Sequence, residues 1–194
     1  MPDKDKPRYL GLLNAIAVAE SAAHRYLTEW AKRTGDPQVR HVLLTVAARE
    51  GEHGMSFARR INELGFEVRE KDVAGGEKAL EIVRSDRSDL EKMEALELQK
   101  LDTGDRPDLF DDIFKDHSID IRTGELLGRY IAEERDSARL LRSCYECLRA
   151  TRAGDDGAEP DRLAGLEAKV DALARSVDEL RQIVCDGSVA TSST

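Results

Sequence analysis

Four apolar stripes in the first 150 residues are each interrupted near the middle by a glutamate. Leu13, Ile16, Glu20, Ala23 and Leu27 step along the chain by 3, 4, 3 and 4 residues. Leu43, Val46, Glu50, His53 and Phe57 repeat those steps, as do Leu127, Tyr130, Glu134, Ser137 and Leu141. Leu90, Met93, Glu97 and Leu101 form a fourth stripe, with Glu94 just beside it. Such spacing places residues on one face of a helix. Each acid therefore falls on the face that should be buried. A buried carboxylate without a partner is unfavourable, and several facing one another repel unless a cation neutralises them. A chain patterned this way is constrained to helices that gather around a positive charge.

The helix limits can be read from the flanking residues. The first pattern runs from about Arg8 to Arg33 and stops at Thr34-Gly35-Asp36-Pro37. Asp36 is placed to cap the second, about Pro37 to Leu64, with Pro37 at its first position and Gly65 as its stop. A third helix is expected over about Glu77 to Leu101, ending at Thr103-Gly104-Asp105-Arg106-Pro107. A short amphipathic piece around Leu109 to Asp116 leads into the fourth, about Ile119 to Arg152. β-branched runs are almost absent and prolines number 5, so the fold class expected is all-α.

The remaining chain has a different period. Residues 153–160 (AGDDGAEP) read as a polar linker. Leu163, Leu166, Val170, Leu173, Val177, Leu180 and Val184 then form heptads, with β-branched residues at most a positions and Leu at d. That choice favours a parallel two-stranded coiled coil, so residues 161–185 are expected to form a homo-oligomer, the alternative being a helix folded back on the bundle. Residues 186–194 read as a disordered tail.

Composition excludes several partners. The net charge is −9 and no basic stripe is present, which argues against nucleic acid and anionic membranes. No apolar run is long enough to span a bilayer, and residues 1–10 lack a signal-peptide core. Three cysteines suit a reducing compartment, and the expected location is cytoplasmic. Cys144 and Cys147 form one Cys-x-x-Cys on a continuous helix, with Cys185 far away, and they read as ordinary semi-buried residues.

Glu50 and His53 are the pair best suited to a metal. Three residues apart, they share a helix face and can reach one ion. Mixed carboxylate and imidazole donors suit iron, with manganese or zinc as alternatives. A glutamate from each of two helices plus Glu-x-x-His from two others is the donor set of di-iron carboxylate bundles.

AVAESAAHRYL around Glu20 and AAREGEHGMSFARRINELG around Glu50 and His53 resemble the ferritin-like superfamily, and within it the rubrerythrin-like group. MEALELQKL around Glu94 and Glu97 and IAEERDSARLL around Glu134 match more weakly. The resemblance covers residues 8–150 and implies an antiparallel four-helix bundle over 1–152. It further implies metal ligands at Glu20, Glu50, His53, Glu97 or Glu94, and Glu134. The pattern departs at Ser137, where the family has a second histidine. Glu133 with Asp136, or His24, could substitute, or one ion could be held well and the other weakly or not at all. The family's rubredoxin-like iron site is absent.

Two functions follow as expectations. One is a di-iron ferroxidase or peroxidase-type oxidoreductase, acting on ferrous iron, dioxygen or peroxide. The other is a degenerate bundle serving as a non-catalytic oligomerising or adaptor module. Tyr26, Tyr130 and Trp30 could relay electrons in the first, though core packing is the simpler role for them.

Overall fold

The computed structural model describes residues 6–69, 74–101 and 115–155. All regular structure among them is helical: α1 (Leu10–Arg33), α2 (Pro37–Glu63), α3 (Ala74–Arg84), α4 (Asp89–Ala95), a single 3-10 turn (Leu98–Lys100) and α5 (Ile121–Asp155). The chain divides into two compact units, Met1–Leu148 and Arg149–Thr194. The 163–184 heptads, the 186–194 tail and most of the expected 109–116 piece lie outside the described residues. α5 continues to Asp155, three residues into the stretch read as a linker. No helix among the described residues is long and apolar enough to cross a membrane.

The capping signals around α2 act as their chemistry dictates. Asp36 accepts hydrogen bonds from the backbone N–H of Gln38 (2.7 Å) and Val39 (3.2 Å), and Pro37 occupies the first turn. At the other end Gly65 takes φ 86°, so that its own N–H reaches Asn62 O and that of Phe66 reaches Ile61 O. This is the Schellman arrangement, which needs a residue at ease in the left-handed region.

The expected third helix is instead two helices. The chain breaks at Ser85–Ser88, and a capping box restarts it: Ser88 Oγ accepts from Glu91 N, and Glu91 Oε2 accepts from Ser88 N at 2.8 Å. α4 then stops at Ala95, because Glu97 adopts φ 58°.

Cross-helix contacts give the directions. His24 meets Ala47 and Ser21 lies against Gly54, so α2 runs opposite to α1. Arg60 meets Thr123 and Arg49 meets Ser137, so α5 runs opposite to α2. Tyr9 meets Asp120 and Glu20 meets Tyr130, so α5 runs with α1. α3 also runs with α1, through Arg25–Glu77 and Arg33–Arg84. Beyond Ser88 the chain reverses. Glu94 lies by Tyr145 and the Leu101 carbonyl by Arg142, opposite in direction to α5.

The core falls into two apolar blocks. One gathers Leu27, Trp30, Leu43, Val46, Val83, Met93 and Leu141. The other gathers Leu13, Ile16, Phe57, Ile61, Leu127 and Ile131. On α1, α2 and α5 alike, the interrupting glutamate falls between them in sequence.

Candidate metal centre

Between the two blocks, three helices bring four donors together. One ligand atom from each of Glu20 (α1), Glu50 and His53 (α2) and Glu134 (α5) lies within 4.8 Å of all the others. Glu20, Glu50 and His53 are 6%, 5% and 3% exposed, a burial that such groups accept only with partners. The REGEH turn explains the placement. Glu50 and His53 hold the inward face, while Glu52 turns out to pair with Arg129. Gly54 lets α2 come close to α1 here, since a Cβ at that position would stand 2.7 Å from Ser21 Oγ and 3.2 Å from Ser21 N.

The donors are held from behind. His53 Nε2 donates to Glu133 Oε2 at 2.7 Å, which leaves Nδ1 facing inward. A carboxylate on the outer nitrogen is the usual support of a metal-bound histidine, because it fixes the ring and its tautomer. Tyr130 Oη donates to Glu20 Oε1 at 2.9 Å and its ring meets His53 edge-on at 5.0 Å. Glu20 Oε2, His53 Nδ1 and Glu134 Oε1 remain: all three are buried, and none has a hydrogen-bond partner. Nδ1 lies 3.9 Å from Glu20 Oε2 and 3.4 Å from Glu134 Oε1. Buried polar atoms are rarely left unmatched, and these three converge. The residues therefore fit a cation bound among them.

The electrostatics agree. Burial pushes the Glu50 carboxyl up to about 10, helped by the hydrogen bond it shares with Glu20 and by repulsion from Glu20 and Glu134. Burial also opposes charge on Glu20, but the neighbouring His53, Glu50 and Tyr130 outweigh it and hold that carboxyl below its usual range. Burial disfavours charge on His53 as well, yet the carboxylates of Glu134, Glu20 and Glu133 raise it to about 10. Protons thus stabilise the cluster where a cation otherwise would.

Not every expected ligand is here. Glu94 and Glu97 are both exposed. The helix that was to carry them ends at Ala95. Left-handed Glu97 swings its side chain into solvent (67% exposed), where it pairs with Lys100. Asp136 is also elsewhere, paired with Arg49 Nη2 at 2.7 Å and with Arg139. Its partner in that alternative, Glu133, supports His53 from outside. His24 donates from Nδ1 to the Ala47 carbonyl at 2.6 Å. Arg49 is half-buried and donates to the buried Ser137 Oγ at 3.3 Å. Cys144 is buried in the first apolar block, which raises its thiol to about 11. By sequence Tyr130 is a stripe residue expected to pack or relay electrons, and Glu133 a candidate substitute ligand. Their hydrogen bonds to Glu20 and His53 depend on contacts between helices, with adjacency to Glu134 as the sequence signal.

An open pocket of about 430 Å³ reaches the centre, with Glu20, Glu50 and Glu134 in its lining and walls that include Leu27, Leu98 and Leu141. A larger groove of about 820 Å³, along the first half of α1 and Gly65–Arg69, is lined by none of the four donors. Comparison of the chain with protein-family models, with curated proteins and with solved structures returned no match to any of them.

Proposed function

We propose that this chain is a metal-binding helical protein in which Glu20, Glu50, His53 and Glu134 hold a transition-metal ion, iron before manganese or zinc. We propose further that the ion serves an oxidoreductase reaction, either oxidation of ferrous iron or reduction of peroxide. The observation that carries the reading is the convergence of three buried, unmatched atoms, Glu20 Oε2, His53 Nδ1 and Glu134 Oε1. Hard carboxylate oxygens with one imidazole suit these metals. The helix directions support a ferritin-like order: α1 and α2 antiparallel, a crossover through α3, a short return through α4, and α5 parallel to α1.

When bound, such an ion supplies a centre that gains or loses electrons and polarises oxygen ligands. The chain's own residues set the conditions. Glu133 keeps the Nε2 proton, so Nδ1 presents a lone pair. Tyr130 fixes one oxygen of Glu20 and turns the other inward. Glu50 and His53 give up protons as the ion enters. The open pocket admits a small oxidant, and apolar side chains such as Leu27, Leu98 and Leu141 form part of its walls.

Loading with ferrous iron without oxygen, followed by desalting and elemental analysis, tests the binding. Iron should remain on the protein, and Glu50→Ala and His53→Ala should lose it. A protein that retains no iron, manganese or zinc overturns the reading. The competing function, a non-catalytic oligomerising module, draws on Ser137 and on the outward Glu97. Adding oxygen or peroxide to the iron-loaded protein separates the two: turnover faster than that of the same concentration of free ferrous iron supports the oxidoreductase.

A further inference from the structure

We infer that this centre takes one metal ion and not a pair, because Arg49 and Ser137 close the half that a second ion would use. The inference rests on the metal-binding reading above and adds its stoichiometry.

Donor count is the first ground. Ligand oxygens and nitrogens sit roughly 2.0–2.2 Å from such a metal, so opposite donors of one ion are separated by about 4.2 Å. Among the described residues, one ligand atom from each of Glu20, Glu50, His53 and Glu134 lies within 4.8 Å of all the others, a span that matches a single sphere with slight contraction. Two ions about 3.5–4 Å apart would need a further set of donors on the far side. α4 and the 3-10 turn supply none, since Glu94 is exposed and Glu97 is turned to solvent beside Lys100. On α5 the residue three after Glu134, the counterpart of His53, is Ser137, 2% exposed and a weak donor.

The second ground is occupancy. Arg49 Nη1 donates to Ser137 Oγ at 3.3 Å while Nη2 pairs with Asp136 Oδ2 at 2.7 Å. A guanidinium that never loses its proton thus sits against the turn from which a second ion would take its imidazole. It carries N–H donors only and is already paired with Asp136, so it fills that place and offers an incoming cation no lone pair.

The test uses the full chain and Mn(II) alone. Bound manganese is counted by elemental analysis, and its electron paramagnetic resonance spectrum distinguishes an isolated ion from an exchange-coupled pair. Ions at exposed acids are set aside by counting only those lost in Glu20→Gln. One such ion per chain with the hyperfine pattern of isolated Mn(II) is expected. Two, or a coupled spectrum, overturns the single-ion inference and leaves metal binding intact. None overturns the metal-binding reading itself. In the double variant Arg49→Gln, Ser137→His, melting cooperatively like the parent, a second ion and a coupled spectrum are expected. A folded double variant that stays at one ion removes Arg49 and Ser137 as the cause and overturns the assignment.

Discussion

At the scale of the residue, His53 uses its two ring nitrogens for different tasks. Nε2 is committed to Glu133, and Nδ1 faces Glu20 and Glu134. In metal-free protein both His53 and Glu50 keep protons up to about pH 10. Their ordinary values are 6.5 and 4.5, so over the interval between, the folded chain binds more protons than the unfolded one. Stability must then fall as pH rises. Glu50 contributes this slope from about 4.5 to about 10 and His53 from about 6.5 to about 10. Thermal melts in the presence of a chelator should show the midpoint dropping steadily across that range. His53→Gln should flatten the upper part, and a wild-type midpoint that rises from pH 6 to 9 would contradict the assignment. A metal must displace the same protons. Its apparent affinity should therefore increase with pH, and binding in weak buffer should acidify the solution.

At the scale of the element, two glycines separate packing from propensity. Gly54 sits where α2 touches α1, and an added Cβ would meet Ser21 N and Ala17 O of the facing backbone as well as Ser21 Oγ. Backbone cannot swing aside, so Gly54→Ala should destabilise by about 1–3 kcal/mol and loosen the donors beside it. Gly128 lies within α5, and nothing stands within 4 Å of a Cβ there. Gly128→Ala should stabilise by roughly 0.5–1 kcal/mol, as helix propensity alone requires. Denaturant melts of both variants check the pair, and equal effects would show that the helix contact at Gly54 is softer than its geometry implies. The stripe pattern made α1, α2 and α5 legible because each has an unbroken period with a strong cap or stop nearby. It failed on the third helix for a local reason. The Ser88–Glu91 capping box and the αL turn at Glu97 override a period that continues through both. Leu98 stays buried while Glu97 turns out, so the apolar signal persisted after the helix had ended. Glu20, Glu50, His53 and Glu134 were legible as one cluster for the converse reason: a mid-stripe acid on a true helix has nowhere to point but inward. The roles of Arg49 and Glu133 depend on contacts between α2 and α5, which spacing along one helix does not encode.

At the scale of the whole molecule, the four donors form a polar layer between two apolar blocks. Leu27, Trp30, Leu43 and Leu141 lie on one side, Leu13, Ile16, Phe57 and Leu127 on the other. Each block holds α1, α2 and α5 together through burial, which stabilises by about 25 cal/mol per Å² of apolar surface. The layer between them works against this. It places three carboxylates in a poorly hydrated space, and protons on Glu50 and His53 offset only part of their repulsion. A bound cation would reverse the sign and make the layer a clamp across the three helices. An ion that binds only the folded state adds RT ln(1 + [M]/Kd), about 2.7 kcal/mol at a hundredfold excess over Kd. For a chain of this length each kcal/mol raises the melting midpoint by roughly 2–4 °C. Saturating Mn(II) should therefore raise it by about 5–10 °C relative to chelator, measured by calorimetry. Glu20→Gln should abolish most of that rise, while exposed Glu97→Gln should leave it whole. An equal rise in Glu20→Gln would place the ion on the surface, and no rise in wild type would mean that the polar layer is stabilised by its protons alone.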